Sequence, residues 1–253
     1  MSSAASDLPK AAVSFTGGKD CHLAWHRILR GGKYQVVALV AFGPKAAKFR
    51  AHPLEWQQLQ AKAAGVPFFQ YEIDADAHDG DYKRAYGAAI QQLVQDTGIS
   101  CLVTGDIDYV GSMTTNFITE VCEKHVPWCG VELPLWQQDR EELLREMLSP
   151  EVDLDIRYTC VKSPHFDASW IGRRLDQHAV DEMRSKSQDG LDLSGENGEY
   201  HTMVVNGPMY RCGKGDGLAF EAVQPHELEQ QKGQPSDQRW FVCDLEQTIL
   251  RQR

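Results

Sequence analysis

KAAVSFTGGKDCHLAWHRILRGGKYQVVALVAF, residues 10 to 42, joins three local patterns. KAAVSF, 10 to 15, is a short apolar run of strand type. HLAWHRILRGG, 22 to 32, has helical apolar spacing and ends in glycines that suit a C-cap. YQVVALVAF, 34 to 42, is almost continuously apolar, as a parallel strand covered on both faces requires. The same rhythm continues. PLEWQQLQAKAA, 53 to 64, reads as a helix opened by proline and stopped by Gly65, and VPFFQYEI, 66 to 73, as a strand. Residues 81–98 read as a helix, 99–107 as a strand and 115–125 as a helix, with VPWCGVEL after it. Alternating strands and helices predict an open, doubly wound parallel α/β sheet.

After Pro134 the pattern changes. Residues 137–148 read as a helix, 153–161 as a strand, 170–186 as a helix and 199–210 as a strand with a Gly-Pro turn. More β pattern follows from 218, interrupted by GQPSDQ. The expected organisation is a tail over 1–9, an α/β domain over 10–134 and a smaller α+β substrate region over 135–253.

Composition narrows the function class. The chain has 253 residues, 42% hydrophobic and 25% charged, as a globular protein with a sizeable core does. A net charge of -10 argues against a nonspecific polyanion binder, so no direct nucleic-acid partner is expected. Seven scattered cysteines, an odd number without a Cys-x-x-Cys pair, argue against a disulfide framework. No apolar run is long enough to span a membrane, and MSSAASDLPK lacks a signal core. The expected location is cytoplasmic.

Two stretches carry chemistry. The first is SFTGGKDC, 14 to 21, between strand and helix. Open parallel sheets bind ligands beyond the carboxyl ends of their strands, and helix N-termini favour anions. Gly17 and Gly18 allow close backbone approach, Lys19 can neutralise phosphate, and Thr16 can donate a hydroxyl hydrogen bond. Asp20 would repel bare phosphate, and a bridging magnesium ion would relieve that. A plain strand–turn–helix connection is the other reading. The spacing is not that of the Walker loop. Cys21 reads as a small buried thiol or, with a lowered pKa at a helix start, as a nucleophile. VTGDI, 103 to 107, places Gly105 and Asp106 at a strand end, where Gly105 can make room for a nucleotide and Asp106 can hold a metal, orient the ligand or simply form a polar turn.

The second stretch is SGENGEYHTMVVNGPMY, 194 to 210. Glu196, Glu199 and His201 fall close together between glycines, as in an amine or ammonium site, a metal site or a polar hairpin rim. Lys45, Lys48 and Arg50 read as a basic lid or a solvated loop. His52 reads as a ligand contact or a turn cap, and the arginines of GRRLD, 172 to 176, as a phosphate or protein-partner contact or as solvated helix charges.

Residues 14–21 resemble the pyrophosphate loop of the N-type ATP pyrophosphatases. Gly-Glu-x-Gly-Glu-Tyr-His-Thr over 195–202 resembles the second hallmark of the diphthine–ammonia ligase family within that superfamily. HPLEWQQLQAKAAGVPF, VTGDI, EVCEKH, LPLWQQDREELLREML and IGRRLD are similar to stretches of the same family, so the likeness spans roughly residues 10 to 210. The resemblance implies a HUP-type fold like that of the adenine nucleotide alpha hydrolases, with ATP and Mg2+ as cofactors. Ser14, Thr16, Gly17, Gly18, Lys19, Asp20, Cys21, Gly105 and Asp106 would bind the nucleotide, with Asp20 and Asp106 on the metal. Lys19, Asp20, Glu196, Glu199 and His201 would be catalytic. The implied reaction adenylates the carboxylate of diphthine on translation elongation factor 2, and ammonia, supplied as ammonium, then displaces AMP to give diphthamide. After GDI the family has a Tyr-Gln-Arg stretch where this chain reads DYVGSMTTNF, 108 to 117. That difference supports an alternative, a paralogous adenylating ligase for another, small carboxylate. A nonenzymatic nucleotide-binding regulator is a further class.

Overall fold

The structure is a computed structural model and describes residues 8–44, 51–73, 79–186, 190–212, 217–221, 225–228, 238–243 and 249–252. Most of the expected tail (1–7), and Lys45, Lys48 and Arg50, lie outside the described residues. The elements in chain order are β1 Lys10–Ser14, α1 Lys19–Gly31, β2 Gln35–Pro44, α2 Leu54–Ala64, β3 Phe68–Ile73, α3 Asp79–Thr97, β4 Cys101–Val103, α4 Phe117–His125 and β5 Gly130–Glu132. They continue with α5 Arg140–Leu148, β6 Asp155–Lys162, α6 Gln177–Lys186, β7 Tyr200–Asn206, α7 Pro208–Cys212, β8 Leu218–Glu221, β9 Pro225–Glu227, β10 Trp240–Cys243 and β11 Ile249–Gln252. They divide between two compact units.

The first unit comprises Met1–Thr16, Asp20–Lys48 and Val66–Gln138. Its five strands run in the order β3-β2-β1-β4-β5, and every pairing is parallel. This is the parallel, Rossmannoid sheet that the alternating pattern predicts. Apolar runs form its central strands because neither face meets water. Ala12, Ala38, Val40 and Leu102 pack with Ile90 and Leu93 of α3 and Val121 and Cys122 of α4. The alternate positions Ala11, Val13, Leu39 and Val103 are fully buried as well, so the opposite face is also covered. Burying one such leucine contributes roughly 1.5–3 kcal/mol. The chain runs outward from β1 to β3 and then returns to β4 on the other side of β1. In open sheets the ligand position lies at such a reversal, beyond the carboxyl ends of the strands, here β1 and β4.

The second unit comprises Gly17–Lys19, Phe49–Gly65 and Asp139–Arg253. A four-stranded antiparallel sheet has the order β7-β6-β10-β9, and β11 pairs with β8. Helix α2 ends at Gly65, whose φ of 68° and bonds to the Ala61 and Lys62 carbonyls make the expected left-handed C-cap. Tyr158, Phe166, Trp170 and Tyr200 form an edge-to-face aromatic core, with Tyr158 and Trp170 centroids 5.3 Å apart at 90°.

One expected helix is broken. Residues 170–186 form the end of a 3-10 turn over Ala168–Trp170, an irregular segment, and then α6. Gly172 adopts a φ of 77°, which ends the turn. Its N–H donates to the Tyr158 carbonyl at 2.9 Å, and the Leu175 N–H donates to the Ile156 carbonyl at 2.8 Å. The segment therefore satisfies its backbone against β6, and helix begins only where the Asp176 carboxylate accepts the Ala179 N–H at 2.9 Å. The arginines of GRRLD are not helical: Arg173 pairs with Glu182 at 2.6 Å and Arg174 with Asp153 at 3.4 Å.

Candidate functional site

Within the first unit, β4 ends directly against the first turn of α1. A Cβ built on Gly105 would lie 2.7 Å from the backbone of Asp20 and Cys21, so only glycine fits there. This packing places the Asp20 backbone beside Gly105, the neighbour of Asp106, at the switch point of the sheet. The Asp106 carboxylate accepts a hydrogen bond from Asn116 Nδ2 at 2.7 Å. Asn116 Oδ1 in turn caps α4 by accepting the Thr119 N–H at 2.9 Å. One amide thus starts a helix and orients a carboxylate. Asn116 falls inside the stretch read as a helix over 115–125, and its bond to Asp106, on another strand end, leaves no mark in the local sequence.

Thr16 Oγ1 lies 3.9 Å from Cys21 Sγ, and Cys21 Sγ lies 3.8 Å from His22 Nδ1. Cys21 is buried and forms no disulfide, and His22 packs against the rings of Phe15 and Trp25 at 5.1 and 6.1 Å. This is the setting of a small buried thiol. Ser14, half-buried, closes β1 opposite Val40.

In the second unit, Gly17–Lys19 runs beside β7. The Val204 N–H donates to the Gly17 carbonyl at 3.0 Å, and the Lys19 N–H donates to Thr202 Oγ1 at 3.2 Å. Gly17 has a φ of 81°, a conformation that side chains disfavour. Gly18 links it to Lys19. The Lys19 ammonium is buried and lies 3.2 Å from Glu196 Oε1 and 6.0 Å from the Tyr200 ring centroid. Residues 177 apart in sequence, one from each signature, therefore form an ion pair. Thr202, the last residue of the second signature, joins them through the lysine backbone.

Glu199 is placed differently. Its Oε1 accepts the Asp192 N–H at 3.1 Å, and its Oε2 accepts the Asn197 N–H at 3.0 Å. It is 6% exposed and holds the turn in which Gly195 and Gly198 take φ values of 75° and 78°. An Arg140–Asp192 ion pair and a 2.9 Å bond from Ser194 Oγ to the Arg140 carbonyl anchor the turn to the start of α5. Glu196 is presented by this turn, and Glu199 shapes it.

His201 packs edge-on to His52 at 5.2 Å and lies parallel to Trp240 at 6.4 Å. Burial, and then the positive charge of Lys19, hold its pKa below the ordinary 6.5. The imidazole is therefore neutral near pH 7 and able to accept a proton or a hydrogen bond. Among the described residues no group of three or more His, Cys, Asp or Glu could hold a metal ion, and no helix is long and apolar enough to cross a membrane.

Comparison with known proteins agrees with the order of these motifs. Residues 9–126 match the diphthamide synthase N-terminal domain, and residues 139–213 match the diphthamide synthase C-terminal domain. The diphthine–ammonia ligase of Homo sapiens is 24% identical over 227 residues, covering 80% of each chain, and that of Bos taurus is 23% identical with the same coverage. A solved chain titled as a predicted subunit of a tRNA methyltransferase from Methanocaldococcus jannaschii is 16% identical. It covers 79% of this chain and 98% of its own, with a TM-score of 0.43, and adds nothing to the assignment. On the two domain matches, which together take in most of its length and both signatures, the chain belongs to the diphthamide synthase family.

Proposed function

We propose that this protein is a cytoplasmic ATP-dependent amide ligase that converts diphthine on translation elongation factor 2 to diphthamide with ammonia, releasing AMP and pyrophosphate. The observation that carries this reading is the Lys19–Glu196 ion pair, which puts the phosphate-loop cation beside the carboxylate of the second signature. The parallel sheet with its switch point at β1 and β4 supports assignment to the N-type ATP pyrophosphatases and their HUP-type fold.

ATP is the first substrate. The Gly17–Lys19 backbone and the Lys19 ammonium bind its phosphates, and Thr16 adds a hydroxyl. Asp20 and Asp106, brought near each other where Gly105 packs on the Asp20 backbone, are hard oxygen donors that would hold magnesium, and the ion would neutralise phosphate oxygens. The diphthine carboxylate oxygen attacks the α-phosphorus, and the α–β bond breaks to release pyrophosphate. Ammonia then attacks the acyl carbon, and AMP departs with the carboxylate oxygen. Lys19 stabilises the charge that grows on the leaving group, an effect that a buried, preorganised cation delivers without reorganisation. Glu196, released from Lys19 when phosphate takes its place, attracts ammonium or the trimethylammonium of diphthine. Neutral His201 accepts the proton that the attacking nitrogen loses. Glu199 keeps Glu196 in position.

A second reading, a paralogous ligase for a different carboxylate, rests on the segment after Asp106. Tyr109 and Val110 there are 44% and 66% exposed, an apolar surface where the family has a polar stretch. Product analysis with ATP, ammonium and diphthine-bearing factor tests both readings. AMP, pyrophosphate and amide in equal amounts support the first. AMP formed with another carboxylate and none with diphthine transfers the function to the second. Stoichiometric ADP contradicts both.

A further inference from the structure

The phosphate loop in the second unit is held by a side chain outside both signatures. Gln60 lies on α2, in a helix whose exposed face is otherwise polar, and is 1% exposed. Its Nε2 donates to the Gly17 carbonyl at 2.9 Å and to the Val204 carbonyl at 2.8 Å. The Gly17 carbonyl also accepts the Val204 N–H at 3.0 Å, so the amide closes a bridge between loop, strand β7 and helix α2. A Cβ on Gly17 would lie 2.2 Å from Gln60 Oε1, which seats the amide directly on the glycine backbone. Gln60 Oε1 is buried and makes no hydrogen bond within the described residues. A buried acceptor without a partner is disfavoured. The amide keeps this arrangement because its two N–H groups are committed to the two carbonyls.

We propose that Gln60 is a positioning residue for the reaction: it fixes the Gly17 carbonyl against β7 and so holds Gly17–Lys19 in the form that accepts the nucleotide phosphates. This rests on the ATP-dependent reading above. The requirement is specific for a neutral double donor. Glutamate has the same size but, when ionised, only accepts, and would face two carbonyl oxygens. Methionine fills the space and donates nothing. Asparagine is one methylene too short.

The test is ATP binding by calorimetry, which needs no knowledge of the acceptor, on folded wild type, Gln60→Met and Gln60→Glu. Both variants should bind ATP weaker by about ten- to a hundredfold at neutral pH, the scale of two lost hydrogen bonds. Gln60→Glu should recover affinity as pH falls, because a protonated carboxyl regains one donor, while Gln60→Met should follow the wild-type pH profile. A purely structural role would not separate the two. Wild-type affinity in folded Gln60→Met overturns the proposal, whereas failure of the wild type to bind ATP overturns the functional reading beneath it. If neither variant folds, the wild type answers by NMR. The Gln60 side-chain amide hydrogens should stay protected from exchange when ATP is bound, and their loss of protection would overturn the proposal.

Discussion

Replacing Glu196 by glutamine separates the two roles assigned to the Lys19–Glu196 pair. The ammonium side chain is 5% exposed and the carboxylate 24%, at 3.2 Å. A hydrogen bond between charged groups contributes about 1.5–3 kcal/mol when sheltered, and solvent on the glutamate side reduces this. Glutamine keeps an acceptor oxygen, so the charge itself accounts for about 1 kcal/mol of the difference. Phosphate must compete with Glu196 for Lys19. Removing the competing charge should therefore tighten ATP binding by about fivefold. The ligand-free variant should melt about 2–4 °C lower, because a buried cation has lost the Glu196 charge beside it. Added ATP should raise its Tm by more than it raises that of the wild type. Amide formation should fall by a hundredfold or more in order of magnitude, since the acceptor side has lost its carboxylate. Calorimetry, thermal melts and AMP release on one preparation measure all of these. Unchanged or weaker ATP binding together with a wild-type Tm would refute the idea that Glu196 holds Lys19 in reserve.

Other expectations follow from individual contacts. Glu199→Gln replaces one acceptor oxygen by a donor facing the Asp192 or Asn197 N–H, and should cost about 1–3 kcal/mol, read as a lower Tm with ATP affinity little changed in the folded fraction. Gly105→Ala drives a methyl into the Asp20–Cys21 backbone and should abolish nucleotide binding even where circular dichroism shows a folded sheet. Because the folded pKa of His201 lies below 6.5, the unfolded chain binds the extra proton first. The stability this residue contributes is thus complete above pH 6.5 and is lost as pH falls through the folded value. His201→Gln should flatten that part of the pH–Tm curve. Lys19 is one cause of the shift, so phosphate binding should raise the His201 pKa and draw in protons, visible as buffer-dependent binding heats.

Much of this was readable before any coordinates. The first unit follows from periodicity because its central strands are buried on both faces and read as near-continuous apolar runs. The glycine-rich connection over 14–21 was readable because it lies between the apolar run of β1 and the helical spacing of α1. Tertiary partners were not. The irregular segment before α6 looked helical because its apolar spacing is helical, and only Gly172 hinted that β6 would take its backbone bonds. Glu199 resembled a ligand carboxylate because a residue that organises a turn and one that binds a substrate have the same side chain. Gln60 carried no signal: its partners lie 43 and 144 residues away, and a glutamine in a helix reads as solvated. Lys19 and Glu196 were each recognisable, but their pairing across the sequence was not.

The central claim is that one site adenylates a carboxylate and then makes an amide of it. Diphthine labelled with 18O in its carboxylate tests this most directly, with ATP, ammonium and the purified protein, and mass analysis of the nucleotide product. The account predicts one labelled oxygen in AMP for each diphthamide formed and none in pyrophosphate. Unlabelled AMP, or label in inorganic phosphate with ADP as the product, would contradict it.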